Sequence, residues 1–352
     1  MRKFPSIHQF RHVVESVTSR ATYCGTNAAG EALYDASRLK PTLTFKGTVK
    51  LHGTNAGVEF RPETGEFFAQ SRENVLSVKE DNYGFCAWTL TVRPMLKSVF
   101  SAMQAVACCG GILPSDIASL HAYGEWCGQG INGKTGIGQL SNRWVLFGFL
   151  VTLTSGDEHW LSASEVSVQT RANGLPADSN VFFITDFPQW EVTVDFNHPE
   201  LALDLLEDMT LAIEKECPVA LAMGAEGIGE GLVWTCEDAQ WGRYVFKTKG
   251  ARHKGTRNKR LVDVAPEVIA GQKAFVDAVL TDSRLEQGFE LLRARHGKVT
   301  EDHIGDFLKW VGLDVLKEEQ DTLEASGLDR KQVMGQVNRS AKAWLVPRLA
   351  RV

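Results

Sequence analysis

Lys50-Leu51-His52-Gly53-Thr54-Asn55 lies within residues 42–57, an apolar-rich segment whose pattern predicts a β-strand. A turn rich in Pro, Glu and Gly follows at residues 61–65, and residues 66–71 read as the return strand of a hairpin. A lysine attacks a phosphate only as the neutral amine, and His, Thr and Asn beside it supply hydrogen-bond donors and acceptors. The hexapeptide therefore predicts a nucleophilic lysine in a nucleotide site, and the alternative is an exposed lysine in a turn.

The size and composition of the chain are those of a globular protein. A chain of 352 residues exceeds the size at which one small core suffices, so two domains are expected. Hydrophobic residues make up 43% and charged residues 23%, which are ordinary proportions. The formal net charge of −5 does not mark the whole chain as a nucleic-acid binder, so any polyanion site has to be a local basic patch.

The cysteines and the apolar runs indicate a reducing compartment. The seven cysteines include no C-x-x-C pair, which favours neither a zinc site nor a disulfide framework. No stretch approaches about eighteen unbroken apolar residues, and the first residues carry no apolar signal core. We therefore predict a cytoplasmic protein with no membrane partner, and the sequence indicates no obligate protein partner.

Further along the chain, three more residues are candidates for a nucleotide or phosphate site, namely Arg72, Glu125 and Phe147. Arg72, in Ser71-Arg72-Glu73-Asn74, can fork onto a phosphate, although a surface arginine is the alternative. Glu125 follows an apolar run between two glycines, and it is either an acceptor for ribose hydroxyls or a strand-end carboxylate in water. Phe147 belongs to the apolar run 144–152, where it packs in a core strand and is also able to stack on a purine.

Glu230 is the candidate carboxylate for a divalent metal. It stands between Gly229 and Gly231, directly before an apolar run that begins at Leu232. Mg²⁺ and similar cations prefer oxygen ligands, which a carboxylate flanked by glycines supplies. Glu226 is the alternative, and we favour Glu230 because the predicted strand follows it directly.

Lys247 and Lys249 are the candidate phosphate-binding cations. Residues two apart on a strand face the same side, where two ammonium groups repel unless an anion such as a triphosphate lies between them. The alternative is a solvated basic edge strand. Residues 243–260 contain eight Lys or Arg and no Asp or Glu, which also suits a polyanion, with a disordered basic linker as the alternative for the second half.

The pattern of the sequence changes after about residue 262. The earlier part predicts a mixed domain with many strands and with a helix over residues 88–106. Beyond Pro266 the apolar residues recur at helical spacing and the strand pattern is lost. We therefore predict a first domain over residues 1–250, a basic linker over residues 251–262 and a helical domain over residues 263–352.

Taken in order, these strings resemble the motif series of covalent nucleotidyltransferases, the superfamily of DNA ligases, RNA ligases and capping enzymes. H-G-T-N, S-R-E-N, G-E-W-C-G and F-K-T-K, beginning at residues 52, 71, 124 and 246, are most similar to the phage-type RNA ligase 2 family, which includes RNA-editing ligases. The resemblance implies an α+β fold and, as the setting, the cytoplasm of a bacterium or of a virus-infected host cell. The parts of the fold would be a nucleotidyltransferase (ATP-grasp-like ligase) domain of antiparallel sheets with flanking helices and a small all-helical C-terminal domain that engages RNA ends.

The resemblance also implies an ATP-dependent RNA ligase that seals 3′-OH and 5′-phosphate RNA ends, with nicks in duplex RNA as the expected substrate and Mg²⁺ or Mn²⁺ as the metal. Lys50 would attack the α-phosphate of ATP to form lysyl-AMP, and the AMP would pass to the RNA 5′-phosphate before the 3′-hydroxyl displaces it. Carried over by motif, Leu51, His52 and Asn55 belong to the nucleotide-binding loop. The other implied contacts are Arg72 with phosphate or RNA, Glu125 with ribose, Phe147 with adenine, Glu230 with metal directly or through water, and Lys247 and Lys249 with phosphates.

Two positions depart from the pattern of many relatives, which carry an acidic residue before the nucleophile and another after the stacking aromatic. Here these positions hold Val49 and Gly148, so the details of metal and adenine contact stay open. A DNA ligase or a capping-like nucleotidyltransferase is one alternative, but those enzymes usually end in a β-rich OB domain, whereas this tail reads as helices. An inactive RNA-end-binding protein is the other alternative.

Overall fold

The computed structural model describes residues 1–131, 133–176, 179–254 and 260–349. Two compact units are distinguished, and the chain passes between them inside the hexapeptide, after Lys50. The first unit comprises Met1–Ser6, Leu51–Gln189 and Glu216–Gly229, and the second comprises Ile7–Lys50, Trp190–Lys215 and Glu230–Val352.

Helices and strands are mixed up to residue 250, and within the described ranges only helices follow. The helices are α1 (Phe10–Thr22), α2 (Phe85–Thr91), α3 (Arg93–Cys109), α4 (Ala163–Ala172), α5 (Leu203–Lys215), α6 (Pro218–Ala222), α7 (Gln272–Val279), α8 (Asp282–His296), α9 (Ile304–Ala325) and α10 (Arg330–Leu345). The strands are β1 (Tyr23–Thr26), β2 (Ala32–Tyr34), β3 (Thr42–Lys50), β4 (Thr54–Arg61), β5 (Glu66–Ser71), β6 (Ile117–Cys127), β7 (Arg143–Leu153), β8 (Glu158–Leu161), β9 (Val181–Phe183), β10 (Gln189–Asp195), β11 (Gly231–Asp238) and β12 (Gly242–Lys249).

The first unit is built on a sheet with the strand order β5-β4-β6-β7-β8, in which β9 pairs parallel to β7. The other pairings in this sheet are antiparallel. Leu96 and Phe100 of α3 share one buried apolar cluster with Leu120 of β6 and Leu146 of β7. The predicted helix over residues 88–106 is instead two helices, since the chain leaves helical geometry at Val92, just before the proline of α3.

The single strand predicted over residues 42–57 is wrong, because the chain breaks at residues 51–53. Strand β3 ends at Lys50 in one sheet, and β4 begins at Thr54 in another. A Cβ at Gly53 would lie 2.5 Å from the backbone oxygen of Trp126, so the break packs too closely on β6 for any residue but glycine. The predicted hairpin is confirmed, since β5 pairs antiparallel with β4.

The second unit contains a sheet with the strand order β10-β3-β11-β12 and the helices α7 to α10. Phe45, Trp234 and Phe246 are fully buried in this sheet, and Phe10 of α1 packs on Phe246 with ring centroids 4.9 Å apart. The apolar faces of the four helices form a separate buried cluster that includes Phe275, Phe307, Val333 and Val337.

The predicted α+β class, with antiparallel sheets, flanking helices and a helical C-terminal region, is confirmed. The predicted domain boundaries stay a prediction, and residues 255–259 of the predicted linker lie outside the described residues. None of the described helices has the length and the apolar character needed to cross a membrane.

Gly47→Ala should destabilise the sheet of the second unit by about 1–3 kcal/mol, the usual range for overpacking a core. Gly47 lies opposite the buried Trp234, and a Cβ there would be 2.6 Å from Cζ3 of that ring. Urea unfolding of the variant measures the loss. Lys46→Ala, an exposed neighbour on β3, is the matched control, and equal stability of the two variants would contradict the prediction.

Candidate active site

The ends of three strands place Glu230 between two of the predicted lysines. Gly231, the first residue of β11, lies opposite Lys50 at the end of β3 and opposite Lys249 at the end of β12. Glu230 directly precedes Gly231, so its carboxylate stands where both neighbouring strands end. Gly231 has a φ of +152°, and a Cβ there would lie 2.0 Å from the backbone oxygen of Thr248, so this close approach requires glycine.

The carboxylate of Glu230 contacts both ammonium groups at once. Lys50 Nζ donates to Oε2 at 2.6 Å, and Lys249 Nζ lies 2.9 Å from Oε1. Only 3% of the Glu230 side chain is exposed, so its charge has to be compensated inside the protein. Burial by itself lowers the pKa of Lys249, but the charge and the hydrogen bond of Glu230 outweigh it and raise that pKa above its ordinary value. Lys249 is therefore held as an ammonium.

Lys247, the other predicted phosphate contact, is paired with a carboxylate of the C-terminal helices. Its Nζ donates to Glu318 Oε1 on α9 at 2.8 Å, and each side chain is 14% exposed. Gln9 Nε2 donates to the second carboxylate oxygen at 3.0 Å. Burial opposes ionisation of Glu318, but the Lys247 charge and the Gln9 hydrogen bond hold the pKa of this carboxyl well below its usual range. Burial lowers the pKa of Lys247, and Glu318 partly offsets that effect.

Helix α9 is anchored beside Lys247 by a buried arginine of α1. Arg11 is 4% exposed, its Nη2 donates to the backbone oxygen of Glu318 at 2.7 Å, and its Nε donates to Asp321 Oδ2 at 2.6 Å. Glu319 interrupts the helical geometry of α9, and its carboxylate lies 3.3 Å from Arg11 Nη2. Successive glutamates therefore meet different cations, Glu318 the lysine and Glu319 the arginine.

In the first unit, β4 and β6 bring Gly53, Asn55 and Glu125 together. Asn55 lies opposite Glu125 in the antiparallel pair, and the Gly53 backbone N–H donates to Glu125 Oε1 at 2.9 Å. Asn55 Oδ1 is buried and has no hydrogen-bond partner within the described ranges. An unpaired buried oxygen is unfavourable, and a donor from a ligand or a water would relieve it. Leu51 of the same loop is buried, and His52 is half-buried.

Phe147 and Arg72 also belong to the first unit. Phe147 lies on β7 and is half-buried, so part of its ring is accessible. Arg72 follows β5 with 48% of its side chain exposed, and its Nη2 donates to Ser6 Oγ at 3.3 Å. The predicted contacts of Phe147 with adenine and of Arg72 with phosphate or RNA stay predictions.

The structure thus groups Lys50, Glu230 and Lys249 in one unit and groups Asn55 with Glu125 in the other, while their chemical roles stay predictions. The position of Glu226 favours Glu230 as the candidate carboxylate, because Glu226 is exposed. The two lysines of β12 were expected to need an external anion, but each contacts a carboxylate of the protein.

Position 49, where many relatives carry an acidic residue, is an apolar, buried position in this chain. Val49 is 3% exposed, and it lies opposite Leu232 in the β3–β11 pair. A carboxylate at this position would be buried against an apolar side chain, which is costly without a partner. The departure at position 49 is therefore consistent with the packing of the sheet.

Glu318 is the residue near the candidate site that the sequence interpretation missed. It lies in the charged run 317–319 of a helix, a pattern that usually marks a solvated face. The available signal was its spacing, since Glu318 follows the buried residues Val311 and Val315 by seven and three positions, which places it beside the buried face of α9. Helical spacing indicates a partly buried glutamate but does not identify its partner.

The basic stretch over residues 243–260 is only partly described. Arg243 Nε lies 3.3 Å from Glu237, and Arg260 Nε lies 3.4 Å from Glu207. Some of its positive charge is therefore compensated by carboxylates of the same unit. The prediction of a polyanion track in the part that includes residues 255–259 lies outside the described residues.

Glu230 is suited to bind a divalent metal together with substrate phosphates and waters. The described residues include no group of three or more His, Cys, Asp or Glu that could hold a metal ion by themselves. Mg²⁺ is usually bound by one or two carboxylates together with substrate phosphates and waters, and Glu230 is suited to that mode. Both of its oxygens contact ammonium groups, so direct ligation requires that one of those contacts opens, whereas ligation through water does not.

Residues 44–249 match the family model described as RNA ligase, and this range covers more than half of the chain and includes Lys50, Glu230, Lys247 and Lys249. The chain therefore belongs to the RNA ligase family. No curated protein sequence matches it.

Solved structures of the RNA ligase of Naegleria gruberi are similar to this chain. A mutant with AMP and Mn is 14% identical, with 71% of this chain and 56% of that chain covered and a TM-score of 0.40. An apo mutant is 15% identical, with 70% and 55% covered and a TM-score of 0.42. The chain thus spans little more than half the length of these proteins.

Acidification should destabilise the attachment of α9. Glu318 and Asp321 both have pKa values held below the usual range, although burial opposes this, because cations and hydrogen-bond donors contact them. The two carboxylates supply this stabilisation above the ordinary carboxyl pKa of about 4, and it is lost as the pH falls toward the lowered pKa values that they have in the folded protein. Urea unfolding midpoints between about pH 7 and about pH 3 measure this loss.

Glu318→Gln should lower stability at neutral pH and make the fall on acidification shallower, because the variant has no carboxylate to protonate at that position. Glu324→Gln is the matched control, since Glu324 is an exposed carboxylate on the same helix. An acid response of Glu318→Gln as steep as that of the control would show that the Lys247–Glu318 pair does not contribute.

Proposed function

We propose that this protein is an ATP-dependent RNA ligase of the RNA ligase 2 type, which seals 3′-OH and 5′-phosphate ends at nicks in duplex RNA through a lysyl-AMP intermediate. The observation that carries the proposal is the buried Glu230 carboxylate in contact with Lys50 and Lys249, in a chain that belongs to the RNA ligase family. The Lys50 side chain is 21% exposed, so its amine is accessible to a ligand.

In the first step the Lys50 amine attacks the α-phosphorus of ATP. A nitrogen–phosphorus bond forms while the bond from that phosphorus to the bridging oxygen breaks, and pyrophosphate leaves. The Lys50 ammonium loses one proton to become the attacking amine, and the nitrogen loses a second proton to solvent once it is bonded to phosphorus. Glu230 Oε2, at 2.6 Å from Lys50 Nζ, is within hydrogen-bond reach to accept the first of these protons.

Lys247 and Lys249 would neutralise the charge on the phosphates as pyrophosphate leaves. An ammonium has three N–H donors, so Lys247 can keep its bond to Glu318 and still donate to a phosphate oxygen. Mg²⁺ or Mn²⁺, held by the phosphates and by Glu230 directly or through water, would add to this neutralisation. Positioning and charge neutralisation supply most of the catalysis in phosphoryl transfer.

The later steps and the remaining contacts rest on the motifs. AMP would pass from Lys50 to the 5′-phosphate of the RNA, and attack by the 3′-hydroxyl would release it and join the strands. The helical region would engage the RNA ends. The other assignments are the loop residues Leu51, His52 and Asn55 with the nucleotide, Arg72 with phosphate or RNA, Glu125 with ribose and Phe147 with adenine.

Lys50→Ala should reduce covalent labelling by ATP to background, because the attacking amine is removed. The protein is incubated with ATP or GTP labelled at the α-phosphate, with Mg²⁺ or Mn²⁺, and is resolved by denaturing electrophoresis. Lys46→Ala is the matched control, since it removes an exposed lysine from the same strand and should be labelled like the wild type.

The labelling experiment tests both the assignment of the nucleophile and the class of protein. Label on Lys50→Ala would show that another residue is the nucleophile. Label from GTP alone would favour a capping-like enzyme. Wild-type protein that takes label from neither nucleotide would refute the enzymatic proposal and leave the RNA-end-binding alternative.

The wild type should seal a nicked RNA duplex at least about tenfold faster than the same ends in single strands, a difference of about 1.4 kcal/mol in activation free energy.

Lys50→Ala should retain part of the sealing of a nick that already carries AMP on its 5′-phosphate, because the last step does not use the lysine. Gel assays of these substrates measure the rates, with an all-DNA nick as a fourth substrate. Faster sealing of an all-DNA nick would favour a DNA ligase, and equal sealing of single strands would contradict the preference for nicks.

A further inference from the structure

The N-terminal segment Met1–Ser6 is built into the sheet of the first unit. The backbone oxygen of Arg2 accepts hydrogen bonds from Gln70 Nε2 at 2.7 Å and from the Tyr123 hydroxyl at 3.1 Å. Gln70 is 2% exposed and Tyr123 is fully buried, so these donors hold the segment inside the fold. Phe4, two residues after Arg2, therefore lies against β7.

Phe4 packs against three aromatic side chains of β6, β7 and β8. Its ring centroid lies 5.0 Å from that of Phe147 at an interplanar angle of 70° and 5.7 Å from that of Trp160 at 87°. The centroid of Tyr123 is 5.3 Å away. Edge-to-face pairs at these distances are favourable beyond the burial of their area, so Phe4 restricts the ring of Phe147 on one side.

Gly148 leaves the space that the Phe4 ring fills. A Cβ at position 148 would lie 2.9 Å from Cε2 of Phe4 and 3.3 Å from Cζ3 of Trp160. A side chain at position 148 and the Phe4 ring therefore exclude each other in this geometry. The position where many relatives carry an acidic side chain is occupied here by a phenyl ring from the N-terminal segment.

We infer that Phe4 is a positioning residue for adenine, because it braces the half-buried Phe147 ring at the angle at which that ring stacks on the base; this rests on the proposed function. Without Phe4 the Phe147 ring can rotate into the vacated space, and the base has to order it on binding. Adenine lies away from the reacting phosphorus, so its contacts are the same in the ground state and the transition state. Their loss raises the ATP concentration that is required and leaves the maximal rate unchanged.

Phe4→Ala should raise the ATP concentration for half-maximal lysyl-AMP formation about threefold to tenfold, the effect of one lost aromatic contact, and should change the maximal rate less than about twofold. Inhibition by tripolyphosphate, which has the phosphates and no base, should be unchanged. Phe4→Tyr keeps the ring and should restore the wild-type ATP dependence. Phe68→Ala is the matched control, since Phe68 is a half-buried phenylalanine of the same sheet that packs under Arg61.

A second variant tests the same geometry from the other side. Gly148→Ala should crowd Phe4 and raise the ATP requirement in the same way. In the Phe4→Ala background only the 3.3 Å approach to Trp160 remains, which that ring can relieve by moving toward the vacated space, so the added methyl should have little further effect. If thermal unfolding shows that Phe4→Ala is not folded, Gly148→Ala by itself carries the test, and an unchanged ATP requirement in the folded Gly148→Ala protein would contradict the inference. Independent, additive effects of the two substitutions would contradict the inference.

Two other outcomes would overturn the role of Phe4. Equal weakening of ATP and tripolyphosphate would show a general structural role, and an unchanged ATP dependence in a folded Phe4→Ala protein would show no role in binding. Failure of the wild type to form any lysyl-AMP refutes the proposed function instead, and that result is known before any variant is compared.

Discussion

The buried carboxylate of Glu230 is the constraint on which the arrangement of the second unit depends. A charge that is 3% exposed is stable only with opposite charges in contact, and Lys50 and Lys249 provide them. One carboxylate reaches both lysines only if β3 and β12 end, and β11 begins, at the same edge of the sheet. The close approach of Gly231 to Thr248 keeps β11 and β12 in that register. Electrostatics and a steric limit on the backbone therefore set this geometry before any ligand binds.

The same requirement joins the C-terminal helices to the strand that carries Lys247. This lysine would be an uncompensated buried ammonium without Glu318, and Glu318 is held in turn by Gln9 and by Arg11 of α1. The charge of a predicted phosphate contact thus depends on helices that are distant in the sequence. A phosphate that binds at these lysines meets donors that are already ordered, which reduces the entropy lost on binding.

Features that depend on residues close together in the sequence could be predicted, whereas features that depend on contacts between distant parts of the sequence could not. The preference for Glu230 over Glu226 follows from neighbours within a few residues, the flanking glycines and the apolar run that begins at Leu232. The break at residues 51–53 was not predicted, because it depends on the packing of Gly53 against the Trp126 backbone in a later strand. The pairing of Glu318 was not predicted either, since a charged run on a helix has the same pattern whether it faces water or a lysine.

The contact between Lys50 and Glu230 also sets a condition on the proposed chemistry. Attack on a phosphorus uses the lone pair of Nζ, and an ammonium that donates to a carboxylate has no lone pair to offer. Nucleotide phosphates, or a metal that arrives with them, compete for the same charges, since both Glu230 oxygens are already in contact with lysines. In the proposed reaction, activation of Lys50 would follow nucleotide binding rather than precede it, because the bound polyanion would change the charge balance that keeps the lysine paired. A lysine held in this way would be protected from reaction with other electrophiles until the nucleotide is in place.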